Sequence, residues 1–150
     1  MKTVVIYESV YGNTRTIAES IAAALPGDVK LQPVSAANTS GLQAGDLLVV
    51  GAPTQGGRPT EATQAFLNRL SSGSMNGVRV AGFDTRLTAK WVRIFGYAAA
   101  KIEDALKDKG GTPAGSPGGF FVKGKEGPLV EGEVERAAAW AKEVAGKQAA

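Results

Sequence analysis

The sequence contains five short apolar runs, and a helical pattern follows four of them. The apolar runs are rich in β-branched residues, as in Lys2–Tyr7 and Leu47–Gly51, which is typical of strands buried in a parallel sheet. The segments between them repeat apolar residues every three to four positions, as amphipathic helices do. This alternation predicts an α/β sandwich with one parallel sheet and right-handed crossover connections.

Turn residues set the expected bounds of these elements, because Gly and Pro interrupt helices and strands. The expected strands are Lys2–Tyr7, a half-exposed edge strand Val29–Val34, Leu47–Gly51, Val78–Phe83 and Gly119–Val122. The expected helices are about 13–25, 60–72, 98–110 and 131–144, and the core face of the last comprises Val134, Ala137, Ala141 and Val144. There is no internal repeat or linker, so we expect one domain over residues 1–150.

Composition excludes several kinds of chemistry. The chain has no cysteine and no histidine, which rules out disulfides, thiolate catalysis, an imidazole base and the commonest transition-metal ligands. The net charge is +3, but Lys and Arg are scattered, so neither a nucleic-acid nor a membrane partner is expected. The absence of cysteine, of a secretory pattern and of a membrane-length apolar run suits a cytoplasmic location.

The loop after the first strand is the most informative stretch, and it reads Ser9-Val10-Tyr11-Gly12-Asn13-Thr14. It joins a buried strand to a helix, whose first N–H groups and dipole attract an anion. Gly12 permits a tight turn and a close approach to a ligand, and Ser9, Asn13 and Thr14 add side-chain donors. A second interpretation stays open, in which these polar residues only cap the helix.

Two further loops follow later strands and belong to the same edge of the predicted sheet. Gly51–Pro59 is rich in Gly and Pro, and Asp84-Thr85-Arg86 ends the fourth strand. Ligands of open parallel sheets bind beyond the carboxyl ends of the strands, where the strand order reverses. The coincidence of three such loops predicts a ligand site, although Asp84 and Arg86 are also consistent with a mere local ion pair.

These motifs resemble those of the flavodoxin family. That family's phosphate loop reads Ser/Thr-x-Thr-Gly-Asn-Thr, and residues 9–14 fit it with one change, Tyr11 for Thr. Its loop after the third strand often reads Gly-x-x-Thr-aromatic-Gly-acidic, and residues 51–57 fit with two changes, at Gln55 and Gly57. The resemblance implies a flavodoxin-like three-layer sandwich with a five-stranded parallel sheet of order 2-1-3-4-5.

The resemblance also implies a cofactor, flavin mononucleotide (FMN). Its phosphate would lie on the loop at 9–14, and its ring between the loop at 53–58 and the loop beginning at Asp84. A backbone carbonyl at Gly56 would accept a hydrogen bond from flavin N5 when the ring is half reduced, because Gly tolerates the required peptide flip. The implied cofactor-binding residues are Ser9, Val10, Tyr11, Gly12, Asn13, Thr14, Pro53, Thr54, Gln55, Gly56, Gly57, Asp84, Thr85 and Arg86.

The departures from the family pattern concern the flavin ring. Gln55 replaces a stacking aromatic residue, and Trp91 or Tyr97 is the alternative source of a ring contact. No acid stands at position 57, and Arg58 and Arg86 are close to the expected ring. Since a nearby cation stabilises reduced, anionic flavin, we expect a less negative second one-electron couple than in acidic members of the family.

The function implied by the resemblance is one-electron transfer through bound FMN to a redox partner protein, by a monomer or weak dimer. One alternative is an FMN-dependent quinone reductase or a flavodoxin-type protoporphyrinogen oxidase, in which the flavin supplies the chemistry. Another is a flavin-free interaction domain of the same fold. The sequence lacks the acidic pair that a response-regulator receiver needs and the Gly-x-Gly-x-x-Gly turn of a nicotinamide-binding domain. We therefore reject both of these functions.

Overall fold

A computed structural model describes residues 1–55, 57–87 and 97–146. Its helices are α1 (Asn13–Ala24), α2 (Glu61–Arg69), α3 (Ala98–Asp108) and α4 (Glu133–Gly146). Its strands are β1 (Lys2–Tyr7), β2 (Asp28–Pro33), β3 (Leu47–Pro53), β4 (Arg79–Leu87), β5 (Thr112–Pro113) and β6 (Gly118–Val122). Within these ranges, every helix is too short or too polar to cross a membrane.

The strands form one parallel sheet in the order β2-β1-β3-β4, followed by two short strands that both pair with β4. β5 pairs with the first two residues of β4, and β6 pairs with Phe83–Leu87 at its carboxyl end. The fifth strand is therefore interrupted, and the predicted order 2-1-3-4-5 is confirmed. Because β1 and β3 are neighbours while β2 lies on the outside, the strand order reverses at β1 and β3.

Helices cover both faces of the sheet, as predicted for a three-layer sandwich. One core cluster joins α1 and α4 to the sheet through residues such as Ile17, Phe83 and Ala137. The other joins α2 and α3 to the opposite face, with Phe66 and Ile102 among its buried members. Both faces of the central strands are thus removed from water, which explains their nearly continuous apolar sequences.

The structure corrects two local expectations. Asp84, Thr85 and Arg86 lie within β4, paired with β6, and do not begin a loop. Val134 was expected in the core of the last helix but is 39% exposed. The reason is its neighbour Glu133, which is buried and accepts a hydrogen bond from the N–H of Phe121. A helix turns about 100° per residue, so an inward Glu133 rotates Val134 toward the solvent.

Candidate functional site

A cleft of about 450 Å³ opens at the carboxyl edge of the sheet. It lies over the ends of β1, β3, β4 and β6, which includes the point where the strand order reverses. Among the residues that the structure describes, those that line the cleft are Val10, Tyr11, Asn13, Thr14, Pro53, Thr54, Gln55, Thr85, Arg86, Leu87, Val122 and Lys125. Parallel α/β sheets bind ligands at this position, so the cleft is the candidate functional site.

The β1–α1 loop forms one end of this cleft and leads directly into helix α1. Gly12 has φ of 92°, the left-handed conformation that glycine adopts without a steric penalty. The Ser9 hydroxyl oxygen accepts from the N–H groups of Gly12 and Arg15, at 3.0 and 3.3 Å. The backbone next to Gly12 faces open space, since a Cβ built there meets nothing within 4 Å. The start of α1 thus combines an accessible backbone with the positive end of the helix dipole.

A buried pair of hydroxyl groups connects this loop to the middle of the site. The Oγ1 atoms of Thr14 and Thr85 lie 2.8 Å apart, and both residues are buried. The carbonyl of Thr85 accepts from the N–H of Thr54, at 2.9 Å. The end of β4 is therefore hydrogen-bonded both to the start of α1 and to the loop after β3, which fixes the floor of the cleft.

Glu8 fixes the other flank of the first loop, because its carboxylate caps helix α2. Its Oε1 accepts from the N–H and hydroxyl of Thr63, at 3.0 and 2.8 Å, and from the hydroxyl of Thr60. A carboxylate at a helix N-terminus satisfies free N–H groups and interacts favourably with the dipole. Glu8 thereby ties the end of β1 to the element that follows the second loop.

A buried ion pair supports the far side of the cleft. The Asp84 carboxylate is fully buried and accepts from Nε and Nη2 of Arg86, at 2.7 and 2.8 Å. It also accepts from the N–H of Ala99 in the first turn of α3, at 2.9 Å. The Arg86 guanidinium lies 3.5 Å from the ring centroid of Tyr97 and packs against Gly119, where a Cβ would lie 2.3 Å from it. The positive charge of Arg86 is thus offset by Asp84 at close range.

The loop after β3 reverses direction in a tight turn. The N–H of Gln55 donates to the carbonyl of Arg58, at 2.8 Å, and the N–H of Arg58 donates back, at 3.1 Å. Gly57 is buried with φ of 77°, while the side chains of Gln55 and Arg58 are exposed. This turn places Gln55 on the wall of the cleft and Arg58 beside it.

The structure brings most of the predicted site residues together. Nine of the fourteen line the cleft: Val10, Tyr11, Asn13, Thr14, Pro53, Thr54, Gln55, Thr85 and Arg86. Of the others, Ser9 and Gly12 shape the loop, Asp84 lies behind Arg86, and Gly57 closes the turn. Gly56 and Trp91 lie outside the described residues, and Tyr97 contacts Arg86 without lining the cleft.

Three lining residues, Leu87, Val122 and Lys125, were missed by the sequence reasoning. The strand order already implied the first two, since the end of the fifth strand adjoins the end of the fourth. No sequence motif marks Lys125 as a site residue, because its position depends on how the β6–α4 loop folds back against the cleft.

The chain is similar to known proteins both in sequence and in structure. A sequence model described as flavodoxin matches residues 5–140. An archaeal flavodoxin superimposes with a TM-score of 0.79 at 19% identity, covering 98% of each chain. A short-chain flavodoxin associated with a non-canonical PDU bacterial microcompartment gives 0.79 at 20% identity, covering 99% of this chain and 100% of its own. Flavodoxin 2 from Bacillus cereus gives 0.75 at 24% identity, covering 98% and 99%. A search of curated sequences found no significant match.

Proposed function

The chain belongs to the flavodoxin family, and on that basis we propose that it binds FMN and transfers single electrons. The observation that carries this proposal is the position of the β1–α1 loop. Four residues of this loop, Val10, Tyr11, Asn13 and Thr14, line the same cleft as the ends of β3 and β4. A flat ligand with an anionic phosphate and a mostly apolar ring matches this cleft. Its phosphate would lie at the start of α1, and its ring would lie at the ends of β3 and β4.

The residues present fit the phosphate end of FMN. Helix α1 supplies its N-terminal N–H groups, with space above Gly12. The Ser9 hydroxyl, which accepts from two loop N–H groups, stands where it can rotate to donate to a phosphate oxygen. Thr14 keeps a donor for the phosphate when Thr85 donates in the pair between them. These donors are neutral, so the loop would hold the phosphate by oriented dipoles.

The residues also fit the ring end. Pro53, Leu87 and Val122 give apolar surface, and Thr54 and Gln55 give polar groups at the wall of the cleft. Bound FMN supplies the electron-transfer chemistry itself. The chain's part is to orient the ring through these walls, to hold them rigid through Asp84 and Arg86, and to limit the access of water.

The match of the flavodoxin family model to residues 5–140 supports the carrier. The chain covers 98–100% of the three flavodoxins compared above, and they cover nearly all of it. Reductases and oxidases of this fold remain the alternative, and a flavin-free interaction domain is a third.

One experiment distinguishes these functions. The purified chain is titrated with FMN and then reduced stepwise while its visible absorption spectrum is recorded. Tight FMN binding, with a long-wavelength band of one-electron-reduced flavin, is the expected result. Direct passage to two-electron-reduced flavin favours the reductase or oxidase, and no retention of FMN favours the interaction domain.

We propose a partner of opposite charge, namely a redox protein with an acidic docking face. The net charge is +3, and the exposed side chains of Lys125 and Arg58 lie at or beside the cleft. The rate of oxidation of the reduced, FMN-loaded protein is measured with anionic ferricyanide and with cationic hexaammineruthenium(III). The ferricyanide rate is expected to fall with added salt and the ruthenium rate to rise, because salt screens both interactions. The opposite pattern would point to an acidic docking site.

A further inference from the structure

A lysine stands beside the phosphate loop, although the loop itself carries no cation before Arg15. Lys125, from the loop between β6 and α4, lines the cleft together with Val10, Tyr11, Asn13 and Thr14. We propose that Lys125 binds the phosphate group of the flavin and makes the site selective for the phosphorylated cofactor. This inference rests on the proposed binding of FMN and assigns to it a residue outside the three loops that the family motifs identify.

Contacts between the two loops fix the position of Lys125. The side-chain amide of Asn13 donates to the carbonyl of Glu126, the next residue, at 3.2 Å. Gly127 lies directly against Asn13, since a Cβ there would come within 2.7 Å of the Asn13 amide atoms, and its φ is 106°. The residue that begins α1 is therefore packed and hydrogen-bonded against the two residues that follow Lys125.

The β6–α4 loop is itself closed by hydrogen bonds at its base. The N–H of Lys123 donates to the carbonyl of Pro128, at 2.8 Å, and the N–H of Gly127 donates to the carbonyl of Gly124, at 3.0 Å. Lys125 is at the tip of this turn and is exposed. A fixed loop that carries a flexible lysine places its ammonium group near the anion without requiring a single rigid geometry.

The charges nearby leave Lys125 as the cation for this end of the cleft. Arg86 is paired with Asp84 at the far side, and Arg15 pairs with Glu19 on the exposed face of α1, at 3.4 Å. Among the ion pairs formed by residues 1–55, 57–87 and 97–146, none includes Lys125. Glu126 is adjacent, but it is the backbone carbonyl of Glu126 that bonds to Asn13, and its side chain is exposed.

The altered loop sequence gives Lys125 a role to fill. Tyr11 replaces the short hydroxyl side chain of the family motif, is 44% exposed and lines the cleft with an aromatic ring. The hydroxyl of tyrosine lies at the far end of that ring and cannot occupy the position of a threonine hydroxyl. An ammonium group from the neighbouring loop supplies an additional donor, and it interacts with the phosphate both by charge and by hydrogen bonding.

The test compares Lys125→Gln with Lys123→Gln, a matched control. Lys123 is also exposed in the same loop, but it does not line the cleft. Dissociation constants are measured for FMN and for riboflavin, which lacks the phosphate, at low and at high salt. For an exposed cation we expect K125Q to weaken FMN binding by about 2- to 5-fold at low salt. Riboflavin binding is expected to be unchanged, as is FMN binding to K123Q.

Further measurements distinguish loss of a phosphate contact from other causes of weaker FMN binding. Lys125→Arg is expected to retain FMN affinity, and K125Q is expected to show a weaker salt dependence than the unsubstituted protein. Equal FMN affinity in K125Q and the parent would overturn the role of Lys125. Equal losses for FMN and riboflavin would also overturn it, because they would locate the effect away from the phosphate. If the parent protein binds neither flavin, the proposed function itself fails.

Discussion

The two ends of the cleft are built in different ways. The phosphate end is made of consecutive residues, Ser9 to Thr14, with neutral donors and a helix N-terminus. The ring end is assembled from residues distant in sequence and held by the buried pair of Asp84 and Arg86, with the start of α3 and Tyr97. One end depends on local backbone geometry, whereas the other depends on long-range packing of charged groups.

This difference separates two ways of maintaining a ligand site. A loop that binds through its own backbone is lost when its φ and ψ angles change, with little effect elsewhere. A wall that depends on a buried ion pair is coupled to the stability of the whole domain, because an unpaired buried charge is costly. Substitutions at the ring end should therefore affect folding first, and those at the phosphate end should affect binding first.

The largest effect is expected from Asp84→Ala. This change leaves Arg86 without its partner and removes the acceptor of the Ala99 N–H, so the free energy of unfolding should fall by about 3–5 kcal/mol. Urea denaturation followed by circular dichroism measures it. The control is Glu19→Ala, which breaks the exposed pair with Arg15 and should cost at most about 0.5 kcal/mol. Similar losses for both variants would contradict a structural role for the buried pair.

The second prediction concerns Gly12→Ala, with Gly132→Ala as its control. Both glycines have positive φ, 92° and 86°, and a Cβ at either meets nothing within 4 Å. Each substitution should therefore cost a similar amount of stability, about 1–2 kcal/mol, through backbone strain alone. Only G12A changes the loop that faces the cleft, so only G12A should weaken FMN binding. Isothermal titration calorimetry measures the affinity, and equal affinities in the two variants would show that the loop conformation does not govern binding.

The third prediction uses a second buried acid behind the ring end. Glu103 on α3 is 7% exposed, its Oε2 has no partner among the described residues, and burial raises its pKa above the ordinary 4.5. The folded protein thus holds this proton more tightly than the unfolded chain does, so stability falls as the pH rises above 4.5. Glu103→Gln cannot ionise, so it avoids this fall in stability. We expect the variant to be more stable than the parent at pH 7, and the difference in stability to be smaller at pH 4.

Unfolding curves recorded from pH 4 to pH 8 check this expectation. Glu131→Gln, at an exposed position before α4, provides the control. A difference between E103Q and the parent that stays constant over this range would mean that the proton on Glu103 is not linked to folding.

The fold and the phosphate end could be predicted because their signals are local. Apolar alternation gave the strands, and Ser9 to Thr14 read as a strand-to-helix loop without further information. The ring end could not be predicted as well. Nothing near Asp84 in the sequence indicates that β6 extends the pairing of β4 past Arg86, or that the carboxylate reaches the start of α3. Lys125 was missed for the same reason, since its loop is held at the cleft by the hydrogen bond between Asn13 and Glu126, which are more than 100 residues apart.

The smallest effect is expected from Arg58→Gln, and it tests the charge argument that the sequence suggested. That argument relied on Arg58 and Arg86, but Asp84 offsets Arg86 at close range, which leaves exposed Arg58 beside Gln55 in the turn. Loss of one exposed cation should lower the second one-electron potential of bound FMN by about 20–40 mV, since a charge near the surface contributes less than 1 kcal/mol. Redox titration of the FMN-loaded protein measures it, with Arg69→Gln, at the far end of α2, as the control. Equal shifts in both variants would assign the effect to net charge. A shift in R58Q alone would show that Arg58, which forms no ion pair among the described residues, raises the second one-electron potential of bound FMN. The ring end would then both stabilise the fold and influence the potential of the cofactor.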